Sequence, residues 1–169
     1  MKTMEAQDRD ADFKAFYDRE VRRIRELALF LVGDRELAAD LAQEAFLQTF
    51  RSWNRIRKED PGPYVRRALA NLCKNSHRRR GVETRDRPIT PKVSGGTDIE
   101  EALRVAEALQ ILPSKRRVAV VLRFFEDLTD AQIAHVLNRP LGTVKSDIRR
   151  GLQQLKPLLA ERVGSGRDS

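Results

Sequence analysis

The polar residues with the most informative spacing lie near the C-terminus, and their types suit DNA binding. In the segment LTDAQIAHVLNRPLGTVKSDIRRGLQQL, residues 128–155, the apolar residues Val144, Ile148 and Leu152 recur every four positions and predict a helix with one buried face. The outward side chains nearest the start of this helix are Thr143, Lys145, Ser146, Arg149 and Arg150. Lys and Arg neutralise phosphates or reach guanine edges, and Ser and Thr bond either group. A helical hairpin in a bundle core is the alternative reading of the spacing.

The helix before this one supports the DNA-binding reading. Thr129 and Gln132 have the spacing of a capping box, which predicts that a helix begins here. Its packing residues would be Ile133, Ala134 and Leu137. A tight turn at Asn138-Arg139-Pro140 then joins the two helices, as in a helix-turn-helix motif.

A second group of polar residues lies in the basic segment PGPYVRRALANLCKNSHRRR, residues 61–80. It places Asn71 and Asn75 on a basic helix face, with Tyr64 nearby and Trp53 slightly upstream. Cations beside amides and aromatic rings suit single-stranded or distorted DNA, whose exposed bases stack and form hydrogen bonds. A solvated charged face is the alternative, and Trp53 would equally suit a protein core.

The same sequence argues against catalysis and against a metal site. His77 and His135 lie far apart, with no cluster of carboxylates and cysteines near either, and we expect each to lie at the surface or close to DNA. Cys73 is the only cysteine, and its spacing from Leu69 and Leu72 predicts a small packing residue. No phosphate-binding glycine loop or nucleophile elbow is present. We therefore expect a protein that is not an enzyme and uses no cofactor or metal.

The charge distribution points to an anionic partner. The formal net charge is +8, and residues 51–80 contain ten Lys or Arg against only Glu59 and Asp60. Concentrated positive charge suits nucleic acid or a membrane surface, and a solvated basic surface with no partner is the alternative. The first residues contain no apolar stretch of a signal peptide, and the longest apolar run is far below the roughly 18 residues that a membrane span needs. We expect a cytoplasmic protein without a membrane partner.

The elements that must position these residues are helices throughout. Apolar residues follow three-four spacing from Phe13 to Leu31, from Leu37 to Phe50 and from Val65 to Leu72, and again after Ile99. Residues 81–97 lose this pattern and are rich in Pro, Gly and polar residues, as in a flexible linker. We therefore predict an all-α protein with small helical domains at 1–80 and 98–160, the second a helix-turn-helix domain, and a disordered tail at 161–169.

Three segments in this order resemble the extracytoplasmic-function class of RNA polymerase sigma factors, in particular its small actinobacterial-like members. The resemblance covers about Phe13 to Lys156. DLAQEAFLQTFRSW is similar to the family's polymerase-binding helix, and YVRRALANLCKNSHRRR to its promoter-melting helix. The segment from Leu112 to Leu155 is similar to its domain 4.

The resemblance implies that the chain binds the RNA polymerase core, through the clamp of the largest subunit and the flap, and directs promoter recognition. The residues on the clamp-binding segment would be Asp40, Gln43, Glu44, Phe46 and Leu47. Those near the melted minus-ten element would be Arg67, Asn71, Lys74, Asn75 and Arg78. The helix that reads the minus-thirty-five element would use Thr143, Lys145, Ser146, Arg149 and Arg150. Promoter DNA is thus an implied partner, and an anti-sigma factor is one that the resemblance allows.

Asp147 departs from the family pattern, because family members usually have a basic residue there. We expect its carboxylate to meet a cytosine amino group, pair with a neighbouring cation or face solvent. Arg149 stands where the family varies, so its base preference does not transfer. Two other functions compete with the sigma factor: a helix-turn-helix regulator that binds DNA without polymerase, and a DNA-processing enzyme, which would need a nucleophile or carboxylate cluster in the first block.

Overall fold

The structure is a computed structural model that describes residues 1–83 and 97–164. In these two ranges all regular structure is helical. The first range contains α1 (Lys2–Val32), α2 (Arg35–Arg51), the short α3 (Trp53–Ile56) and α4 (Gly62–Glu83). The second contains α5 (Thr97–Leu109), α6 (Ser114–Phe124), α7 (Asp130–Leu137) and α8 (Leu141–Gly164). The prediction of an all-α fold is confirmed.

The boundary between α1 and α2 follows from two adjacent residues. Gly33 ends α1 in the left-handed conformation with φ of 72°, and its N–H donates to the Leu29 carbonyl. Asp34 begins α2, because its carboxylate accepts a hydrogen bond from the Leu37 N–H at 2.9 Å. The reversal lays α2 against α1, and α4 packs on both.

Two predicted boundaries differ from the helices observed. We placed residues 81–97 in the linker, but residues 81–83 belong to α4 and Thr97 belongs to α5. Residues 84–96 lie outside the described part of the chain. Residues 161–164, which we placed in a disordered tail, continue α8, and residues 165–169 also lie outside it.

The buried apolar residues form one cluster that includes both halves of the chain. Helices α1 and α4 of the first half pack against α5, α6 and α7 of the second. The ring of Phe30 on α1 stacks on Phe125, which follows α6, with 4.1 Å between the ring centroids. The two halves are therefore in direct contact, although the loss of helical periodicity and the composition of residues 81–97 suggested two domains separated by a linker.

Candidate nucleic-acid and polymerase interfaces

Helices α7 and α8 form the helix-turn-helix that the sequence predicted. Thr129 and Gln132 make both hydrogen bonds of a capping box at the start of α7. Asn138 then ends α7 in the left-handed conformation, with φ of 50°. Asn and Asp tolerate this conformation better than other side chains with a Cβ, so the residue suits the turn.

The buried face of α8 differs in one position from the predicted one. Val144, Ile148 and Leu155 are buried, but Leu152 is 40% exposed, so its prediction as a core residue is wrong. Gly151 takes the inward position instead, because a Cβ there would lie only 2.7 Å from Cγ2 of Val120 on α6. The helix needs a residue without a side chain at this point to approach α6 closely.

This orientation leaves the predicted DNA-reading residues accessible. Thr143, Lys145, Arg149 and Arg150 are exposed, and Ser146 is half-buried. Lys145 and Arg149 lie one turn apart and border a shallow groove whose apolar floor includes Ile148 and Leu152. A cationic face at the start of the second helix is the arrangement that enters a major groove in helix-turn-helix proteins.

Asp147 pairs with a cation, which was one of the three outcomes we allowed. Its carboxylate accepts a hydrogen bond and ion pair from Arg139, in the turn between the two helices. Both side chains are largely buried, at 13% and 20% exposed. Arg139 also contacts the Lys115 carbonyl at 3.5 Å. The negative charge on α8 is therefore neutralised within the domain rather than directed at a phosphate.

A second polar face runs along α4. Asn71, Lys74, Asn75 and Arg78 are all exposed and follow the three-four spacing of a single helix face. Arg67 lies one turn before Asn71, but it is half-buried and contacts the other half of the chain. Its Nε and Nη2 donate to the carbonyls of Val136 and His135, at 2.7 and 2.5 Å. Four of the five predicted minus-ten residues are thus accessible to solvent, whereas the Arg67 side chain is hydrogen-bonded to the backbone of α7.

The aromatic residues near α4 do not form a stacking surface for bases. Trp53 is 3% exposed and lies edge-on to Phe13, with 5.1 Å between the ring centroids. Tyr64 is half-buried, and its hydroxyl shares a 2.8 Å hydrogen bond with Ser52. Trp53 is therefore a core residue, which was the alternative reading of its position.

The predicted polymerase-binding segment divides into exposed and buried residues. Asp40, Gln43 and Leu47 are exposed on α2, and Glu44 is half-buried beside Gln48 and Arg51. Phe46 is only 4% exposed and packs edge-on against Tyr17 on α1, at 4.8 Å between centroids. Our expectation that Phe46 offers an apolar contact to a partner is wrong, because that ring completes the core of the first half.

His77 and Cys73 on α4 are structural in two different ways. Cys73 is 1% exposed, and burial raises the pKa of its thiol to about 12, as suits a packing residue. His77 is half-buried, and its Nε2 lies 3.1 Å from the Leu31 carbonyl and 2.7 Å from Nη1 of Arg117. His77 is therefore partly covered by contacts within the chain, whereas His135 is exposed, and the expectation that either lies close to DNA stays a prediction.

Sequence reasoning missed a group of charged residues between the two halves. Glu126 is 8% exposed and accepts hydrogen bonds from Arg23 on α1 and Arg66 on α4. Arg117 is 5% exposed, and burial lowers the pKa of its guanidinium to about 10, so it stays cationic at neutral pH. The only available signal was a charged residue at each end of the segment from Val118 to Phe125, which is apolar except for Arg123.

No group of three or more potential metal ligands occurs among the residues that the structure describes. Within the same residues, no helix is long and apolar enough to cross a membrane.

Family models match both halves of the chain. The model described as Sigma-70 region 2 matches residues 16–82, and the model described as Sigma-70, region 4 matches residues 102–155. The first match includes the polar face of α4, and the second includes the helix-turn-helix.

Curated relatives match most of the chain. The extracytoplasmic-function (ECF) RNA polymerase sigma factor SigE of Mycolicibacterium smegmatis is 35% identical over 82% of this chain, which spans 58% of that relative's length. The RNA polymerase sigma-E factor of Streptomyces coelicolor is 32% identical over 78% of this chain and 77% of its own length.

Two solved structures share the fold. The sigma factor RpoE of Bartonella quintana, in complex with the anti-sigma factor NepR, covers 88% of this chain and 97% of its own, with a TM-score of 0.66 and 23% identity. The structure of CnrH in complex with the cytosolic domain of CnrY matches 88% of this chain and 88% of its own chain, with a TM-score of 0.66 and 19% identity.

Proposed function

The chain belongs to the extracytoplasmic-function class of RNA polymerase sigma factors, and we propose that its exposed polar faces divide promoter recognition between α2, α4 and α8. The face of α2 binds the polymerase clamp, α4 holds the opened minus-ten strand, and α8 reads the minus-thirty-five element as duplex. The observation that carries the proposal is the presence of two separate DNA-compatible faces, one in each half.

The face of α4 suits an opened strand because it combines amides with cations. Asn71 and Asn75 can hydrogen-bond the edge of an unpaired base, and Lys74 and Arg78 can hold its phosphates. All four side chains are accessible to solvent. Asn71→Ala in the holoenzyme should relax base preference at one minus-ten position, and an unchanged preference profile would make Asn71 a simple surface residue.

The basic residues of α8 divide into two kinds. Lys145 and Arg149 share one face, near the helix start, and we assign them to base edges. Arg150 points about a hundred degrees away from Arg149 on an ideal helix and is assigned to a phosphate. Thr143 and Ser146 supply shorter hydrogen-bonding groups beside them.

A randomised minus-thirty-five library, transcribed with each variant holoenzyme, tests this division. Lys145→Ala or Arg149→Ala should change the preferred sequence, because losing a bidentate base contact costs about 1–3 kcal/mol at that position. Arg150→Ala should weaken binding to all sequences alike and reduce the salt slope by about one. Unaltered preference in both Lys145→Ala and Arg149→Ala would remove the base-reading role from these two residues.

The clamp contact uses Asp40, Gln43, Glu44 and Leu47, whose side chains are exposed or half-buried on α2. Leu47 supplies the apolar contact, since it is 44% exposed whereas Phe46 is buried. The flap would contact the second half.

An anti-sigma factor is a further proposed partner, because RpoE of Bartonella quintana, which shares this fold, forms a complex with one. We also propose that the protein acts in the cytoplasm, where core polymerase is found, and that it has no catalytic activity of its own. The alternative of a regulator that works without polymerase lacks support from the first half, which matches Sigma-70 region 2.

A further inference from the structure

The ion pair between Arg139 and Asp147 lies beside the proposed phosphate contact of α8. Asp147 comes one turn after Thr143 and one turn before Arg150, and residues three or four positions apart are neighbours on a helix surface. Both neighbours are exposed and belong to the residues that we assign to DNA. A carboxylate therefore lies among the groups that are proposed to meet the promoter.

Arg150 is the cation that Asp147 would bind if Arg139 were absent. It lies three positions further along the same helix, and acidic and basic side chains at this spacing form ion pairs. No other Lys or Arg occurs three or four positions from Asp147 on either side. Arg150 is exposed, and it makes no ion pair with any residue in the described part of the chain. Its guanidinium is therefore available to a phosphate as long as Asp147 is held elsewhere.

The turn before α8 fixes Arg139 where it can hold this carboxylate. The Arg139 N–H donates to the Ala134 carbonyl at 3.0 Å, and Pro140, with its restricted φ, follows directly. The Arg139 guanidinium donates to Asp147 and also contacts the Lys115 carbonyl at 3.5 Å. Both members of the ion pair are largely buried. Removing one partner of such a pair leaves an uncompensated charge, which then favours any other counter-charge within reach.

We propose that Arg139 is a positioning residue for minus-thirty-five binding: its ion pair with Asp147 keeps that carboxylate from binding Arg150, which can then contact a DNA phosphate. This inference rests on the proposed function of α8. Arg139 itself does not touch DNA, because its guanidinium is occupied within the second half. Phosphate contacts carry no sequence information, so Arg139 affects affinity and leaves base preference to Lys145 and Arg149.

Five variants of the full-length chain, each assembled with core polymerase, test this role. Arg139→Gln releases the carboxylate, Asp147→Asn removes it, and the double variant Arg139→Gln/Asp147→Asn lacks both charges. Arg150→Ala removes the proposed phosphate contact directly. Arg116→Gln is the matched control, because it lowers the net charge as Arg139→Gln does. The partner of Arg116 is the neutral amide of Gln154, at 2.8 Å, so this control releases no carboxylate.

Each holoenzyme is titrated with a fluorescent duplex that carries the sequence selected from the randomised minus-thirty-five library, at several salt concentrations. We expect Arg139→Gln to weaken binding about tenfold, the size of one charge-assisted hydrogen bond, and to reduce the salt slope by about one. Arg150→Ala should give the same two changes. The double variant should recover wild-type affinity and slope, because no carboxylate remains to bind Arg150. Asp147→Asn should bind no more weakly than the wild type, and Arg116→Gln should keep the wild-type salt slope.

The randomised library separates this role from a purely structural one. Arg139→Gln should keep the wild-type base preference while its affinity falls, whereas a displaced α8 would change both. Circular dichroism identifies variants that fail to fold. If Arg139→Gln is among them, Asp147→Asn carries the test, because it breaks the same ion pair and leaves Arg150 available.

Wild-type affinity and salt slope in folded Arg139→Gln would overturn the role of Arg139, and so would an altered base preference. A double variant that binds as weakly as Arg139→Gln, or weaker binding by Asp147→Asn, would also overturn it, because the ion pair would then only stabilise the fold. An unchanged salt slope in Arg150→Ala would instead refute the phosphate contact on which the inference rests. A reduced slope in Arg150→Ala beside an unaltered Arg139→Gln would refute the role of Arg139 alone.

Discussion

At the scale of single residues, adjacent positions on one helix have opposite roles. Phe46 and Leu47 are neighbours on α2, yet the first packs against Tyr17 and the second is 44% exposed. A residue's type does not reveal which of these roles it has, because the hundred-degree turn between neighbours decides it. The packing of α1 and α4 on α2 fixes which side faces inward.

This difference gives a direct prediction for polymerase binding. Phe46→Ala should lower the free energy of unfolding by about 3–5 kcal/mol, because it empties a buried ring site. Leu47→Ala should leave the unfolding curve nearly unchanged and weaken capture of core polymerase. Urea denaturation and a pull-down with purified core measure the two effects. Normal core capture by Leu47→Ala would remove this residue from the clamp contact.

Because the thiol of Cys73 is buried, we expect the free energy of unfolding to fall at alkaline pH. Burial raises its pKa from 9.0 to about 12, against the opposing effect of nearby Arg117. Above pH 9 the unfolded chain releases the thiol proton while the folded chain retains it, so the unfolded state binds fewer protons and the free energy of unfolding falls. The thiol should account for a loss of about 1.4 kcal/mol between pH 8 and pH 10.

Urea denaturation at these two pH values, with Cys73→Ala as the comparison, isolates the thiol from the other titrating groups. The wild type should lose more stability than the variant over this interval. Identical losses would show that the thiol titrates in the folded state as readily as in the unfolded one.

At the scale of elements, the close approach of α8 to α6 depends on Gly151. Gly151→Ala would place a Cβ 2.7 Å from Cγ2 of Val120, and overpacking of this kind costs about 1–3 kcal/mol. The better helix propensity of Ala offsets about 1 kcal/mol of that cost. We therefore expect a net loss of stability in thermal unfolding, together with weaker minus-thirty-five recognition.

Gly142 on the same helix is the control, because a Cβ there would meet no atom within 4 Å. Gly142→Ala should stabilise the chain by about 0.4–1 kcal/mol through the unfolded state. If Gly151→Ala proved as stable as Gly142→Ala, the helices would not need the close approach at Gly151.

The elements themselves were predictable, and the reasons are local. Three-four spacing of apolar residues predicts the helices and Thr129 predicts the start of α7, and the first boundary lies at Gly33 and Asp34, residue types that commonly end and begin helices. The orientation of α8 was not fully predictable. Leu152 continues the four-residue repeat of Val144 and Ile148, but a step of four residues turns about forty degrees beyond a full turn on an ideal helix. After two such steps Gly151 faces α6 and Leu152 faces solvent.

At the scale of the whole molecule, the contact between the halves was beyond sequence reasoning. Arg117 is buried because carbonyls of Leu31, Leu109 and Leu112 converge on it from separate parts of the chain. Arg67 lies one turn before Asn71 on α4, as its spacing predicts, but its partners, Val136 and His135, become neighbours only when the halves meet. Local patterns predict which side chains a helix presents and leave open which of them the rest of the chain covers.

The dependence of promoter binding on core polymerase is the central claim for the whole molecule, because it separates a sigma factor from a regulator that binds DNA alone. The measurement is transcription and DNase footprinting on genomic fragments, with the chain alone, core alone and both together. We predict defined transcripts and a footprint spanning the minus-ten and minus-thirty-five elements only when both are present. Equal footprints by the chain alone, with no new transcript on addition of core, would contradict the account.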